Sequence, residues 1–476
     1  MRKILFFIPL FLWTCGGGGS SPTEPIIEPP VVQNFTLSTF VNTPIEFSLS
    51  GVESENLPLS FGITTQPING IIELDGVNGT YTPNLNFIGA DSFTYIATST
   101  NGQSNIGLVQ ITVSRDENNF ELIFSIEGRR FDARDFTELS GGSFVIGGIA
   151  QNSGGFINQQ TYLIGLNNDF EEIWRKYTGP IGNTTYMKKI KSTGDGGFIV
   201  FGLHESSFYL EKFTSLGNLE WSQSYSSVGS ADDVDILDDS TIVMVGGTTV
   251  NGYGQTMITI VDSNGNLQSE NTYGEDGYGS RARAITKSND GGFLVAGQKK
   301  RQNSSGWYGK PEIMKFSSTG EVEWSNNFYF GPREDRFGET PFAVTQDQDG
   351  NYYITVIYPL DSNSDKTLIF KVGPQGGDPL WNVEFNNLLY QDIEYSSDNS
   401  IILTGRSESF FDLLVYKFDL QGNLIVDKNF GDSTNYNSGE SIKELSSGNY
   451  AILGGRNYSV GSNVDARFII INNNLD

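Results

Sequence analysis

The stretch Asp195-Gly196-Gly197-Phe198-Ile199-Val200-Phe201-Gly202, followed by Phe208-Tyr209-Leu210-Glu211-Lys212-Phe213 and then Leu216-Gly217-Asn218-Leu219-Glu220-Trp221, holds three markers in a fixed order. A glycine turn launches an apolar strand that ends in glycine. A second strand follows, and a Gly-Asn turn then leads to a tryptophan. Short runs rich in β-branched and aromatic residues, bounded by turn formers, are the pattern of strands rather than helices.

The order recurs along the chain. First-marker strands begin near Gly142, Gly196, Thr241, Gly291, Gly350, Ser400 and Gly448. Second-marker strands begin at Tyr162, Phe208, Met257, Glu312, Leu368, Leu413 and Phe468. The third marker centres on Trp174, Trp221, Ser269, Trp324, Trp381 and Val426, one copy short of seven. The run Phe120-Glu121-Leu122-Ile123-Phe124 ahead of the first repeat has the composition of the missing copy. Each unit also carries a more polar strand, as in Ala133-Arg134-Asp135-Phe136 and Arg281-Ala282-Arg283-Ala284-Ile285. Four strands per unit, at about 51 residues each over residues 120–476, predict a seven-bladed β-propeller closed by its N-terminal strand.

Residues 31–114 show period-2 strands of a different spacing, among them Ser92-Phe93-Thr94-Tyr95-Ile96 and Leu108-Val109-Gln110-Ile111-Thr112-Val113. They predict a small β-sandwich, with Gly70 and Gly79 read as turn glycines and Phe87, Phe93 and Tyr95 as core. The expected fold is therefore all-β, an Ig-like β-sandwich followed by the propeller. The run Gln66-Pro67-Ile68-Asn69-Gly70, followed by Gly79 to Tyr95, resembles the cadherin-like, Ig-fold modules of bacterial surface proteins. That resemblance implies a spacer, and it leaves calcium as the one cofactor open, with Glu73, Asp75 and Asp91 as candidate ligands.

The double glycines resemble kelch repeats, and the Gly-Asn-x-x-Trp turn is similar to that of quinoprotein-like propellers. As a whole the repeat resembles the Asp-Gly-Gly-Phe propellers of secreted Bacteroidota proteins. The Asp195-Gly196-Gly197 and Asp290-Gly291-Gly292 segments are read as hairpin turns.

Residues 1–14 read as a signal peptide: Arg2 and Lys3 precede the apolar run Ile4 to Trp13, which is too short to span a bilayer. The chain's one cysteine, Cys15, follows directly, and Leu12-Trp13-Thr14-Cys15 resembles the lipobox of bacterial lipoproteins. The resemblance implies acylation of Cys15, with residues 15–30 as a Gly/Ser/Pro tether and the protein lipid-anchored in the outer membrane, the cell surface being the expected location.

A net charge of −26 argues against nucleic acid as partner, which requires a clustered positive field. With one histidine, His204, expected in a loop, neither a Ser-His-Asp triad nor a histidine-rich metal site is available. No catalytic residue or metal ligand is assigned, and the chain is read as a non-enzymatic binding or scaffold protein. Candidate channel-mouth residues are Arg134, Asp135, Arg281, Arg283 and Glu394, within a mixed-sign set on the polar strands that includes Lys188, Asp233, Asp235, Glu440 and Lys443. Candidate partner-binding loops are Lys299 to Lys310, with Trp307 and Tyr308, and Phe328 to Phe337, with Tyr329, Phe330 and Arg333. The expected partner is an outer-membrane protein complex, of which the chain would be an accessory subunit, or an extracellular protein or glycan. The competing reading is a glycan-binding protein or carbohydrate-active enzyme working through carboxylates in the propeller mouth.

Overall fold

The computed structural model describes residues 28–475 except 153–158, 180–184, 228, 239, 276, 304–305, 331–338, 360–364, 387, 408–411, 432–435 and 458–463. Cys15, the apolar leader and Arg333 lie outside the described residues. The chain divides into two compact units, Met1–Ser114 and Arg115–Asp476. No described helix is long and apolar enough to cross a membrane.

In the first unit one sheet runs Phe35–Phe40, Gly107–Ser114, Gly89–Ser99, Ser60–Thr65, its first two strands parallel. A second sheet runs Ile45–Ser48, Asn78–Pro83, Gly70–Asp75. Alternate residues of both sheets meet in a shared core of Phe47, Ile72, Tyr81, Phe93, Tyr95 and Val109, with Phe87 packed at its margin. Burying each such side chain stabilises the unit by about 1.5–3 kcal/mol. Gly70 and Gly79 are not turn residues. Both lie within strands, where an added Cβ would sit 2.2 Å from the Tyr81 ring and 2.4 Å from the Phe47 ring. These glycines make room for core aromatics, and the tight turn falls instead at Gly76, whose φ is +64°.

The second unit is a seven-bladed propeller. Its described residues form seven four-stranded antiparallel sheets: blades 1 to 6 span 129–178, 185–227, 230–273, 278–327, 340–386 and 388–429, each running from innermost to outermost strand in chain order. Blade 7 takes three strands from 436–471 and its outermost from Phe120–Phe124, which pairs antiparallel with Val464–Ile471 in the register Phe120↔Ile470. The innermost strands of successive blades pack together all the way round, and that of blade 1 packs against that of blade 7. The strand missing from the C-terminal repeat is thus supplied from the N-terminal side, closing the ring and leaving no blade incomplete.

The repeat markers have physical roles. In blade 4, Asp290 Oδ1 accepts the Gly292 N–H at 3.0 Å and its other oxygen pairs with Lys315 Nζ at 2.9 Å. Lys315 also pairs with Glu323 at 2.9 Å, and its side chain is 1% exposed. Blade 2 repeats the arrangement with Asp195, Gly197, Lys212 and Glu220. A lysine buried in an apolar strand is tolerated only with such partners. The third-marker tryptophan packs on the Gly-Asn turn of the following blade: a Cβ on Gly217 would lie 2.8 Å from Trp174, and one on Gly422 3.1 Å from Trp381. This marker is an interblade joint.

Candidate functional site

In a propeller the innermost strands surround the axial channel, and here all seven are interrupted at the same place. Each carries a register shift against its neighbour, which leaves one extra residue: Arg134, Lys188, Asp232, Arg283, Phe342, Gln391 and Glu440. Such a bulge bends the strand and frees a residue from the ladder. The residues immediately after the bulges are Asp135, Lys189, Asp233, Ala284, Ala343, Asp392 and Ser441, and two further on stand Thr137, Lys191, Asp235, Thr286, Thr345, Glu394 and Lys443. Between these two polar rings lie Phe136, Ile190, Val234, Ile285, Val344, Ile393 and Ile442, all buried. Side chains of the innermost strands are therefore sorted by depth.

The two deeper rings act as staples. Asp135 Oδ2 accepts the Ile190 N–H of blade 2 at 2.9 Å, and its Oδ1 meets Lys443 Nζ of blade 7 at 3.1 Å. Asp233 accepts the Ile285 N–H of blade 4 at 3.0 Å, and Asp235 the Lys287 N–H at 2.8 Å. Asp392 accepts the Ile442 N–H of blade 7 at 3.1 Å. Lys191 lies 3.3 Å from Asp235. Lys189 of blade 2 reaches Asp392 of blade 6 at 3.9 Å, and because those blades are not neighbours this pair spans the axis.

These contacts set the ionisation of the rings. Burial would raise Asp135, but Lys443 and Lys189 overcome it and hold the carboxyl at about 2. Burial dominates at Asp233, pushed up to about 6 despite Lys189 and Lys191. Glu394 is pushed up to about 7 by burial and by the neighbouring Asp392. Lys189 and Lys191 are raised, burial being outweighed by the surrounding carboxylates.

The bulge ring is different. It lies toward the N-terminal ends of the innermost strands, the same end of every blade at which the antiparallel second strands finish. A cavity of about 330 Å³ opens there among blades 6, 7 and 1, lined by Arg130, Asp132, Arg134, Gln391, Arg406 and Glu440. Asp132 pairs with Arg134 at 2.5 Å, and burial raises the Glu440 carboxyl. Across blades 2 to 4, Asp232 receives Arg281 at 2.6 Å and Arg283 at 3.5 Å. Lys188 and Lys300 are both lowered, first by burial; at Lys188 the attraction of Asp232 opposes this while Arg134, Arg281 and Arg283 add repulsion, and at Lys300 the repulsion comes from Arg283 and Arg281.

The sequence-level candidates fall into three groups. Arg134, Arg281 and Arg283 share the mouth; Asp135 and Glu394 lie deeper, among the staples. Trp307 and Tyr308 belong to a strand, Gly306–Phe316, that pairs through to Asn303 in a long hairpin of blade 4 rather than to a loop, and their side chains lie outside the described residues. Tyr329 is exposed, whereas Phe330 packs on Phe370 with ring centroids 4.8 Å apart. His204 closes the strand Phe198–His204 instead of lying in a loop, its Nδ1 3.3 Å from Thr185 Oγ1. In the first unit Asp91 is occupied by the N–H groups of Ile68, Asn69 and Ser92 and by the Tyr81 hydroxyl. Glu73 and Asp75 lie on the other sheet, and among the described residues no group of three or more acidic, histidine or cysteine side chains is arranged to hold a metal ion. Sequence reasoning missed Arg130, Arg406 and the bulges; their signal was the adjacent polar pair in a strand, as in Arg134-Asp135 and Gln391-Asp392.

Among known protein families, the bacterial Ig domain model matches residues 27–112, at the N-terminal end where an Ig-like fold was expected. None of the curated proteins matches the sequence. Solved structures similar to this chain include a catalytically inactive virginiamycin B lyase from Staphylococcus aureus with quinupristin, 11% identical, covering 74% of this chain and 99% of that one at a TM-score of 0.47. A quinoprotein alcohol dehydrogenase-like protein from Bacteroides thetaiotaomicron is 11% identical, covering 85% of this chain and 97% of that one at 0.32. A Bacteroides caccae protein of unknown function is 13% identical, covering 53% and 81% at 0.37. The architecture above rests on the chain's own strand pairing.

Proposed function

We propose that this chain is a lipid-anchored binding protein whose propeller is a rigid platform for a partner, with the Ig-like unit as a spacer. The observation that carries this reading is the stapling of the channel. Asp135, Asp233 and Asp392 direct their oxygens to backbone N–H groups of the following blade, which serves rigidity rather than turnover. Acylation of Cys15 supplies the anchor, and the partner is an outer-membrane protein complex or an extracellular protein or glycan. Affinity purification from the native membrane in gentle detergent tests it: a stoichiometric partner is the expected result, and recovery of the protein alone, with glycan hydrolysis tracking it, overturns the reading. Cys15→Ala should move the protein out of the membrane fraction.

Glu394 favours a second reading as a carbohydrate-active enzyme, because a carboxyl held protonated to about pH 7 is what a general acid requires. Loss of glycan hydrolysis in Glu394→Gln, with the fold intact, would support that alternative.

A further inference from the structure

The mouth of the channel reverses the charge of the molecule. The chain carries −26 overall, yet around the channel mouth seven cations, Arg130, Arg134, Arg406, Lys188, Arg281, Arg283 and Lys300, surround Asp132, Glu440 and Asp232. Arg130, Arg134 and Arg406 share the 330 Å³ cavity with Asp132 and Glu440. Lys188, Arg281 and Arg283 converge on Asp232, with Lys300 beside them. Asp132, Glu440 and Asp232 therefore face more positive charge in these two clusters than they can neutralise. The Nε atoms of Arg130 and Arg283 are shielded from solvent and have no hydrogen-bond partner among the described residues. Leaving buried charged donors unsatisfied is costly, and an anion that accepted from them would recover that cost.

Resting on the binding-platform reading, we propose that this mouth is a binding site for a compact oxyanion, a carboxylate, sulfate or phosphate group presented by the ligand. Guanidinium groups suit such a ligand because their planar donors meet two oxygens at once. Arg130 and Arg134 line the cavity from blade 1 and Arg406 from blade 6, so donors come from separate blades and a ligand carrying two or three anionic groups is favoured over a single one. The deeper rings, with five carboxylates against three lysines, limit how far the anion can enter. It therefore binds at the rim and does not pass through the channel.

The test is calorimetric titration of the intact protein at low ionic strength with citrate, inorganic sulfate and pyrophosphate, using glucose as the neutral control. Binding of at least one anion but not of glucose, weakening as sodium chloride is added, is expected. The strongest of the three probes separates carboxylate from sulfate or phosphate chemistry. Arg130→Gln should weaken binding about tenfold or more, the loss of one charged hydrogen-bond donor. Asp132→Asn removes a competing internal anion and should tighten binding, a gain that a damaged fold could not produce. No binding by any of the three anions, or binding unchanged in both variants, overturns the inference. If a protein partner is still recovered from the membrane in that case, the binding-platform reading stands and only the anion site is lost.

Discussion

Two glycines, one after the other, have different jobs. Gly291 has φ +87° with open space around it, whereas an added Cβ on Gly292 would lie 2.1 Å from the Phe316 carbonyl oxygen. A side chain at the first costs the left-handed backbone penalty of about 1–2 kcal/mol. At the second, backbone must move against backbone. Gly292→Ala is therefore expected to lower stability by about 3 kcal/mol or more, clearly beyond Gly291→Ala, as read by urea unfolding. The ring carboxyls make a second residue-level prediction. Glu394 and Asp233 are raised in the fold, to about 7 and about 6, so they bind protons more tightly folded than unfolded. Their contribution favours the fold at low pH and is lost as pH rises from the unfolded range through the folded values. Asp135, held at about 2, acts in the opposite sense and its contribution is lost as pH falls below about 4. Within this network stability peaks between pH 4 and 5 or so. In Glu394→Gln the decline between about pH 5 and 7 should shrink relative to the parent chain, a comparison that cancels the general repulsion of an acidic protein. An unchanged pH profile would refute the assignment.

At the scale of elements, the bulged innermost strand is the unit that joins blades. Its register shift lets Asp135 reach past its own ladder to the Ile190 N–H of blade 2 and the Lys443 ammonium of blade 7. Asp135→Ala leaves the Ile190 N–H without its side-chain acceptor and Lys443 without its carboxylate, holding the Phe136 carbonyl, and removing one partner of a buried pair costs about 3–5 kcal/mol. The expected result is a thermal midpoint lowered by several degrees, with Lys443→Met in the same chain restoring part of the loss. Much of this was legible in sequence. The markers at Gly291, Lys315 and Trp324 are spaced by the strands they occupy, so blade number and strand order followed from repetition. The bulges were not read, because a single extra residue alters no composition. Only the break in alternation at Arg134-Asp135, Lys188-Lys189 and Asp232-Asp233 records it. Gly70 and Gly79 were misread for a related reason: glycine marks both turns and close approaches, and only the Tyr81 and Phe47 rings distinguish them.

For the molecule as a whole, ring closure depends on a strand far from its partner in sequence. Phe120, Leu122, Ile123 and Phe124 are all buried against blade 7 and its neighbours, Phe120 meeting Phe170 at 4.9 Å. Arg467 grips Glu121 through both carboxylate oxygens at 2.7 and 3.0 Å, fixing the register of the closing strand. At about 2 kcal/mol for each buried apolar side chain, the four contribute about 8 kcal/mol. That is comparable with the whole margin of a folded domain, about 5–15 kcal/mol. A chain beginning at residue 115 retains the closing strand, while one beginning at 128 leaves Val464–Ile471 as an open, apolar edge. The longer chain should unfold in one cooperative transition and remain soluble. The shorter one, though six of its blades are untouched, should lose that transition or aggregate. Equal melting of the two chains would mean that the ring holds without its seam. Arg467→Ala in the full chain probes the same seam more gently, with an expected loss of about 2–4 kcal/mol because Glu121 loses its two-point partner, keeping Arg456 at 3.7 Å, and the Phe430 carbonyl and Asn437 lose their donor.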